Sequence, residues 1–267
     1  MFEHILVIHL SQNHQLWNSQ FETLRQYLHT HEETKQIQLH KLEAVNGKYY
    51  LDKEPLFFNK LLETKLLSMD GCGFRKTIQG VVNECCCYLS HVKAWNYITE
   101  HSLQNVLILE EGVLFESARW DEFIHHYQQS PERFQQLMNC DIAFFNKNFQ
   151  TEVISDSQVQ LQGFSLQAYS IHKDSIPKVI RLCKELPCPI DLHIRNVCNI
   201  GKLTWKTYTF FYPHTYLFDN NYERNSNISG GVEKKTAQLN SHQNPLSFKE
   251  RILNKLFQKQ TPFQYLL

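Results

Sequence analysis

The segment Asn105-Val106-Leu107-Ile108-Leu109-Glu110-Glu111-Gly112-Val113-Leu114-Phe115 constrains the fold more than any other part of the chain. Its unbroken apolar run predicts a strand covered on both faces, the pattern of a sheet with helices on either side. Two carboxylates stand where the strand stops. In open α/β sheets, ligands collect outside the carboxyl ends of the strands. Oxygen ligands at that place suit a hard divalent cation, and such a cation commonly serves a phosphate-bearing substrate.

The remaining chain alternates strand and helix. Ile5–Ile8 reads as a first buried strand, and Trp17, Phe21, Leu24 and Leu28 recur at helical spacing. Ile37–Leu42 predicts a second strand, closed by the turn dipeptide Asn46-Gly47. A looser stretch from Tyr49 to Gly80 contains a short helix around Phe57–Leu67. Cys87, His91, Ala94, Trp95 and Ile98 share one face of a helix from about Glu84 to Thr99. Beyond the acidic strand, the pattern predicts one helix over Trp120–Met138 and a strand over Asp141–Phe145. Gln158–Leu161 and Leu166–Ile171 read as an antiparallel pair. Ser175 is placed to cap a helix ending near Glu185, and Leu203–Phe210 reads as a last strand. The class is α/β, a mixed sheet in a single domain over residues 1–212, with a less regular tail over residues 213–267.

Composition removes several functions. Lys plus Arg and Asp plus Glu both number 27, so no global field draws in nucleic acid or an acidic membrane surface. No apolar run approaches the roughly 18 residues that a membrane span needs. The start of the chain is too short and too uncharged for a secretory signal, so the eight cysteines read as free thiols of a reducing cytoplasm. Zinc is the sharper alternative for them, but no C-x-x-C pair is present. Neither a dinucleotide-binding nor a P-loop glycine fingerprint occurs, and Gly71-Cys72-Gly73 completes neither. A diphosphate bound here therefore needs a metal at the acidic turn.

The run Glu84-Cys85-Cys86-Cys87-Tyr88-Leu89-Ser90-His91-Val92-Lys93-Ala94-Trp95, followed by Ile108-Leu109-Glu110-Glu111-Gly112-Val113, resembles glycosyltransferase family 25. That family includes bacterial lipopolysaccharide glycosyltransferases and procollagen galactosyltransferases. Its pattern is a Glu, then Cys-x-Leu-Ser-His, a tryptophan, and Leu-Glu-Asp-Asp-Val after a strand. Ala44-Val45-Asn46-Gly47-Lys48, Gly163 with Ala168-Tyr169-Ser170-Ile171, and Pro189-Ile190-Asp191 resemble further family segments in the same order. The resemblance spans about Ile5 to Ile194, with an echo at Ser226-Asn227-Ile228.

The resemblance implies a GT-A type, Rossmann-like mixed sheet flanked by helices. It also implies an inverting hexosyltransferase that uses a UDP-sugar, UDP-galactose or UDP-glucose, with manganese or magnesium. Glu110 and Glu111 fall on the first two acids of the metal motif, and Asp191 falls on a later acid suited to metal binding or general-base work. Ser90 and His91 fall on the Ser-His pair, placing Ser90 with the nucleotide sugar and His91 with the catalytic groups. The chain departs from the pattern where Gly112 replaces the third acid. It departs again near the first strand, where Leu16 stands in the place of an arginine. Arg75 or Lys76 is the substitute cation for the diphosphate.

Plainer readings stand beside these. Glu110 and Glu111 fit solvated acids ending a strand, His91 a hydrogen-bonded core histidine, and Asp191 a helix cap. The cysteine triplet fits small apolar packing, and His125-His126 a surface pair. In the tail, Ser247-Phe248-Lys249-Glu250 is a capping box opening a basic amphipathic helix over about 247–259, with Phe248, Ile252, Leu256 and Phe257 on its apolar face. Such a helix suits either docking on the domain or contact with an anionic membrane that carries a lipid-linked acceptor. The expectation is a cytoplasmic enzyme, at the inner face of a membrane when the tail helix binds there, that moves a hexose from a UDP-sugar to a glycan acceptor such as lipopolysaccharide. The alternative, favoured by Gly112 and Leu16, is a catalytically degenerate fold serving as a nucleotide-sugar-binding or interaction module.

Overall fold

The computed structural model describes residues 1–10, 14–47, 78–111, 113–155, 158–163, 165–184, 189–212 and 217–220. Six strands form one sheet: β1 (His4–His9), β2 (Gln38–Glu43), β3 (Val106–Glu110), β5 (Ile142–Phe144), β8 (Ala168–Ile171) and β9 (Trp205–Thr207), in the order β2-β1-β3-β8-β5-β9. All run parallel except β8, which is antiparallel to both of its neighbours. The mixed α/β sheet is thus the expected class. Helix α1 (His14–Thr30) joins β1 to β2, and α2 (Ile78–Glu100) leads into β3. Because β2 lies on one side of β1 and β3 on the other, strand order reverses between β1 and β3. That is the place where open α/β sheets form their ligand crevice.

The period of two along the strands separates two cores. Leu6, Ile8, Val106, Ile108, Ile142, Phe144, Tyr169 and Ile171 face α2, α5 (Ile176–Leu182) and α6 (Ile190–Asn199). Ile5, Val7, Leu107, Leu109, Ala143, Phe145 and Ala168 face α1, α3 (Ser117–Gln129) and α4 (Pro131–Met138). Both faces are dry, which explains the continuous apolar runs of β1 and β3.

Several sequence expectations need correction. The single helix over Trp120–Met138 is two helices, α3 and α4, broken at Ser130 (φ −149°, ψ 72°). Pro131 opens the second helix; its ring disfavours helical backbone at Ser130 and removes an N–H, so the chain turns there. Gln158–Leu161 does not pair with Leu166–Ile171. It belongs to β7 (Gln158–Gln162), which pairs antiparallel with β6 (Gln150–Ser155), while β8 enters the main sheet as a fully buried strand between β3 and β5. The last strand is short, Trp205–Thr207, and passes directly into a helical turn, α7 (Tyr208–Phe211). Ser175 makes no side-chain cap to α5; its hydroxyl donates to Asp141 Oδ1 at 2.5 Å, and the helix ends at Leu182. Helix α2 starts at Ile78, before the expected Glu84. The helix expected over Phe57–Leu67 and the tail helix over 247–259 lie outside the described residues.

Past α7, Leu217 and Phe218 are buried, and β10 (Asp219–Asn220) pairs antiparallel with β4 (Val113–Leu114). The chain thus returns to the segment that follows the acidic turn. Among the described residues, no helix is long and apolar enough to cross a membrane.

Candidate active site

Glu110 ends β3 in register with Ile8 of β1, so the acidic pair stands at the mouth of the crevice between these strands. The Glu111 backbone N–H donates to Ile8 O at 2.8 Å, and the Leu10 backbone N–H donates to Glu111 Oε2 at 2.7 Å. The carboxylate of Glu111 is thereby fixed across the switch point. A charged acceptor on a backbone N–H is among the stronger hydrogen bonds a protein makes.

Glu110 shares its sheet face with Ile108, and this directs its side chain toward α2. There His91, buried to 1% side-chain exposure, brings Nε2 to 2.8 Å from Glu110 Oε1, while the Glu110 side chain keeps 22% exposure. His91 Nδ1 lies 2.9 Å from Tyr169 Oη, and the Trp95 indole N–H donates to that same oxygen at 2.9 Å. For a neutral imidazole these bonds run in one direction. The indole and the carboxylate have fixed roles as donor and acceptor, so the Tyr169 O–H donates to Nδ1 and the proton on Nε2 points at Glu110. In that tautomer His91, oriented by the core, presents its N–H to an acid at the crevice. Burial pushes the Tyr169 phenol well above its ordinary range, consistent with its staying protonated in this chain.

One helical turn before His91, Cys87 places Sγ 3.7 Å from Glu110 Oε1. Burial, then the charges of Glu110 and Asp191, push its thiol well above the usual range. Cys87 was expected to be plain packing. The i, i+4 spacing to His91 was visible in the sequence, but its nearness to Glu110 depends on the placement of α2 over β3.

Asp191 opens α6. Pro189 occupies the capping position, and the Leu192 N–H donates to Asp191 Oδ1 at 2.8 Å. Burial raises the pKa of Asp191 and the charge of Glu110 raises it further, while hydrogen bonds from backbone N–H groups, including that of Ser165, oppose both. The loop supplying Ser165 is tightly built. Gly163 has φ 92°, and a Cβ there would fall 1.6 Å from Asn148 O, so only glycine fits. Ser165 has φ 106°, a strained conformation for a residue with a side chain, and Asn146 Nδ2 donates to its carbonyl at 2.7 Å. Asn199 anchors α6 to β7 by exchanging both of its amide groups with the Leu161 backbone, at 2.8 and 3.0 Å.

Ser90 does different work. Its hydroxyl donates to Cys86 O at 2.6 Å and accepts from the Val45 N–H at 2.9 Å, pinning the segment after β2 against α2. His126, expected at the surface, stacks on Tyr212 with ring centroids 4.5 Å apart and lies 3.0 Å from Tyr208 Oη through Nδ1. Arg75, Lys76 and Gly112 lie outside the described residues, as does the side chain of Leu16.

The structure thus brings Glu110, His91 and Cys87 into contact, holds Glu111 at the end of β1, and places Asp191 within electrostatic reach of Glu110. Among curated proteins the chain has no match. The family described as glycosyltransferase family 25 (LPS biosynthesis protein) matches residues 2–194, a stretch that runs from β1 into α6 and includes each of these groups. This chain belongs to glycosyltransferase family 25.

Proposed function

We propose that the protein is an inverting hexosyltransferase, moving galactose or glucose from a UDP-sugar to a glycan acceptor of the lipopolysaccharide type at the cytoplasmic face of a membrane. Membership of the family supports a sugar donor and a glycan acceptor. The observation that carries the finer reading is a third acid, Asp191 at the start of α6, within electrostatic reach of the acid that ends β3. Glu110 and Glu111 are fixed at the strand end by His91 and Leu10. Asp191, facing Glu110's charge from α6, holds its proton more tightly than an ordinary carboxyl.

Inversion requires one displacement at the anomeric carbon, with a base taking the proton of the acceptor hydroxyl as the new bond forms. A raised pKa makes Asp191 a stronger base than an ordinary carboxylate, which suits that duty. The residues also fit a hard divalent cation. Glu110 and Glu111 offer carboxylate oxygens, and the repulsion between Glu110 and Asp191 is of the kind that a bound cation relieves. Manganese or magnesium held by Glu110 and Glu111, with Asp191 as a further candidate ligand, supplies charge stabilisation for the leaving diphosphate. Arg75 is proposed to meet the same diphosphate. The His91–Tyr169–Trp95 chain orients Glu110.

The second reading, a nucleotide-sugar-binding or interaction module without turnover, is favoured by Gly112, which has no side-chain oxygen to offer a metal. Melting temperature with UDP, with and without manganese, followed by a transfer screen over common nucleotide sugars, separates the two. Manganese-dependent stabilisation with transfer supports the enzyme. Binding with neither transfer nor hydrolysis supports the module.

A further inference from the structure

Cys87, His91 and Glu110 form a cluster of mixed donors that the proposed reaction leaves partly unused. One sulfur, one imidazole nitrogen and one carboxylate oxygen lie within 4.8 Å of one another. Cys87 and His91 are one helical turn apart on α2, so both side chains leave the same face of a rigid element, and Glu110 meets them from the end of β3. The Nε2–Oε1 and Sγ–Oε1 separations are 2.8 and 3.7 Å. In a tetrahedral zinc site with ordinary bond lengths, the corresponding ligand–ligand edges are about 3.3 and 3.6 Å. Both edges to Glu110 thus lie within about half an ångström of those of a zinc site, and the third donor pair lies within 4.8 Å, so side-chain adjustment brings the three onto one ion. The ring is already aimed, because Tyr169 Oη fixes Nδ1, as partners of metal-bound histidines do.

We propose that this cluster is a binding site for a thiophilic divalent cation of the zinc class, and that the ion blocks the transferase by capturing Glu110. Coordination replaces the Cys87 S–H proton, which passes to solvent. The imidazole takes the tautomer with its proton on Nδ1, donating to Tyr169 Oη, and Nε2 turns its lone pair to the metal. Glu110 then binds the thiophilic ion rather than the hard cation that assists the donor. The sulfur and nitrogen donors set this ion apart from the manganese or magnesium of the carboxylate pair. Only the inhibitory part rests on the proposed role of Glu110 in transfer.

The test is titration of the full-length chain with cobalt(II), followed by zinc displacement and by a transfer assay with increasing zinc at fixed manganese. Expected are a thiolate-to-cobalt charge-transfer band and tetrahedral ligand-field absorption at one equivalent, both abolished by zinc. Cys87→Ser, with unchanged circular dichroism, loses the band and weakens zinc binding by more than about tenfold, while Cys85→Ala keeps both. Glu111→Gln abolishes manganese-enhanced UDP binding and leaves zinc affinity unchanged. Measured against each protein's own zinc-free rate, inhibition by zinc is lost in Cys87→Ser. Absence of the charge-transfer band from wild type, or its persistence in Cys87→Ser, overturns the site. Zinc binding without inhibition supports the site and overturns the reading of Glu110 as a ligand of the donor metal.

Discussion

Leu10 and Glu111 are 101 residues apart in sequence, yet the backbone N–H of the first donates to Oε2 of the second at 2.7 Å. The bond spans the point where strand order reverses and fixes one oxygen of the acidic turn with a group that no side-chain motif reveals. A carboxylate held this way is preorganised, because its position is set before any ligand arrives. In the proposed metal site the longer side chain of Glu111, anchored at the far strand, compensates for the missing side chain of Gly112.

Glu111→Gln is therefore expected to abolish manganese-enhanced UDP binding without unfolding the domain, since the amide oxygen still accepts from Leu10. Gly112→Asp is expected to strengthen the same binding. The scale for one charged ligating group is ~1–3 kcal/mol in either direction, read by calorimetry with UDP at fixed manganese. If neither substitution alters metal-dependent binding, the acidic turn is not the metal site.

Asp191→Asn is expected to lower turnover by roughly 10²–10⁴-fold, the usual worth of a general base, with the nucleotide sugar still bound. The variant retains an oxygen that accepts from Leu192, so the start of α6 survives. Ionised Asp191 is penalised by burial and by Glu110, and a neutral amide escapes that penalty, so the melting temperature at neutral pH is not expected to fall. Full activity in Asp191→Asn would remove it as the base, and joint loss of donor binding would instead assign it to the metal.

Local pattern carried much of the fold. The apolar runs Ile5–Ile8 and Val106–Leu109 are buried on both faces, and the helical recurrence of Leu24 and Leu28 marks the core side of α1. Errors arose where one residue or a distant partner overrode the pattern. Pro131 divides what reads as one helix, and β8 leaves its sequence neighbour β7 because all four of its residues are buried between β3 and β5. At the site, the motif positions of His91 and Glu110 were readable. The closure of the Trp95–Tyr169–His91–Glu110 chain was not, because it joins α2, β8 and β3 through contacts 74, 78 and 19 residues apart. The approach of Cys87 to Glu110 was hidden for the same reason.

Tyr169→Phe tests that chain. It removes the acceptor of the Trp95 indole N–H and the donor to His91 Nδ1, leaving two buried polar groups without their partner. The expected cost is roughly 1–3 kcal/mol in urea denaturation. Turnover is also expected to fall with little change in KM, because His91 loses the contact that directs Nε2 at Glu110. A variant that is destabilised but fully active would confine Tyr169 to a structural role.

Asp141 gives a prediction at the opposite end of the sheet, away from the crevice. It accepts from Lys178 Nζ at 2.8 Å, from Ser175 Oγ at 2.5 Å, and from the backbone N–H and hydroxyl of Thr204 at 2.7 and 3.0 Å. Burial alone pushes this carboxyl up, but the hydrogen bonds from Lys178, Ser175 and Thr204 together hold it at about 2, below its ordinary 3.8. A carboxyl depressed in the folded state stabilises the protein above its unfolded pKa, and that contribution disappears as pH falls through the folded value. Wild type should therefore exceed Asp141→Asn by roughly 2–3 kcal/mol near pH 6, the scale of charge-assisted hydrogen bonds. The difference should hold down to about pH 4 and shrink as pH approaches 2. Urea midpoints for both proteins across that range check it. A gap that stays constant between pH 6 and pH 2 would show that the Asp141 contacts act as neutral packing, and the ionic staple joining β5, α5 and the start of β9 would have to be abandoned.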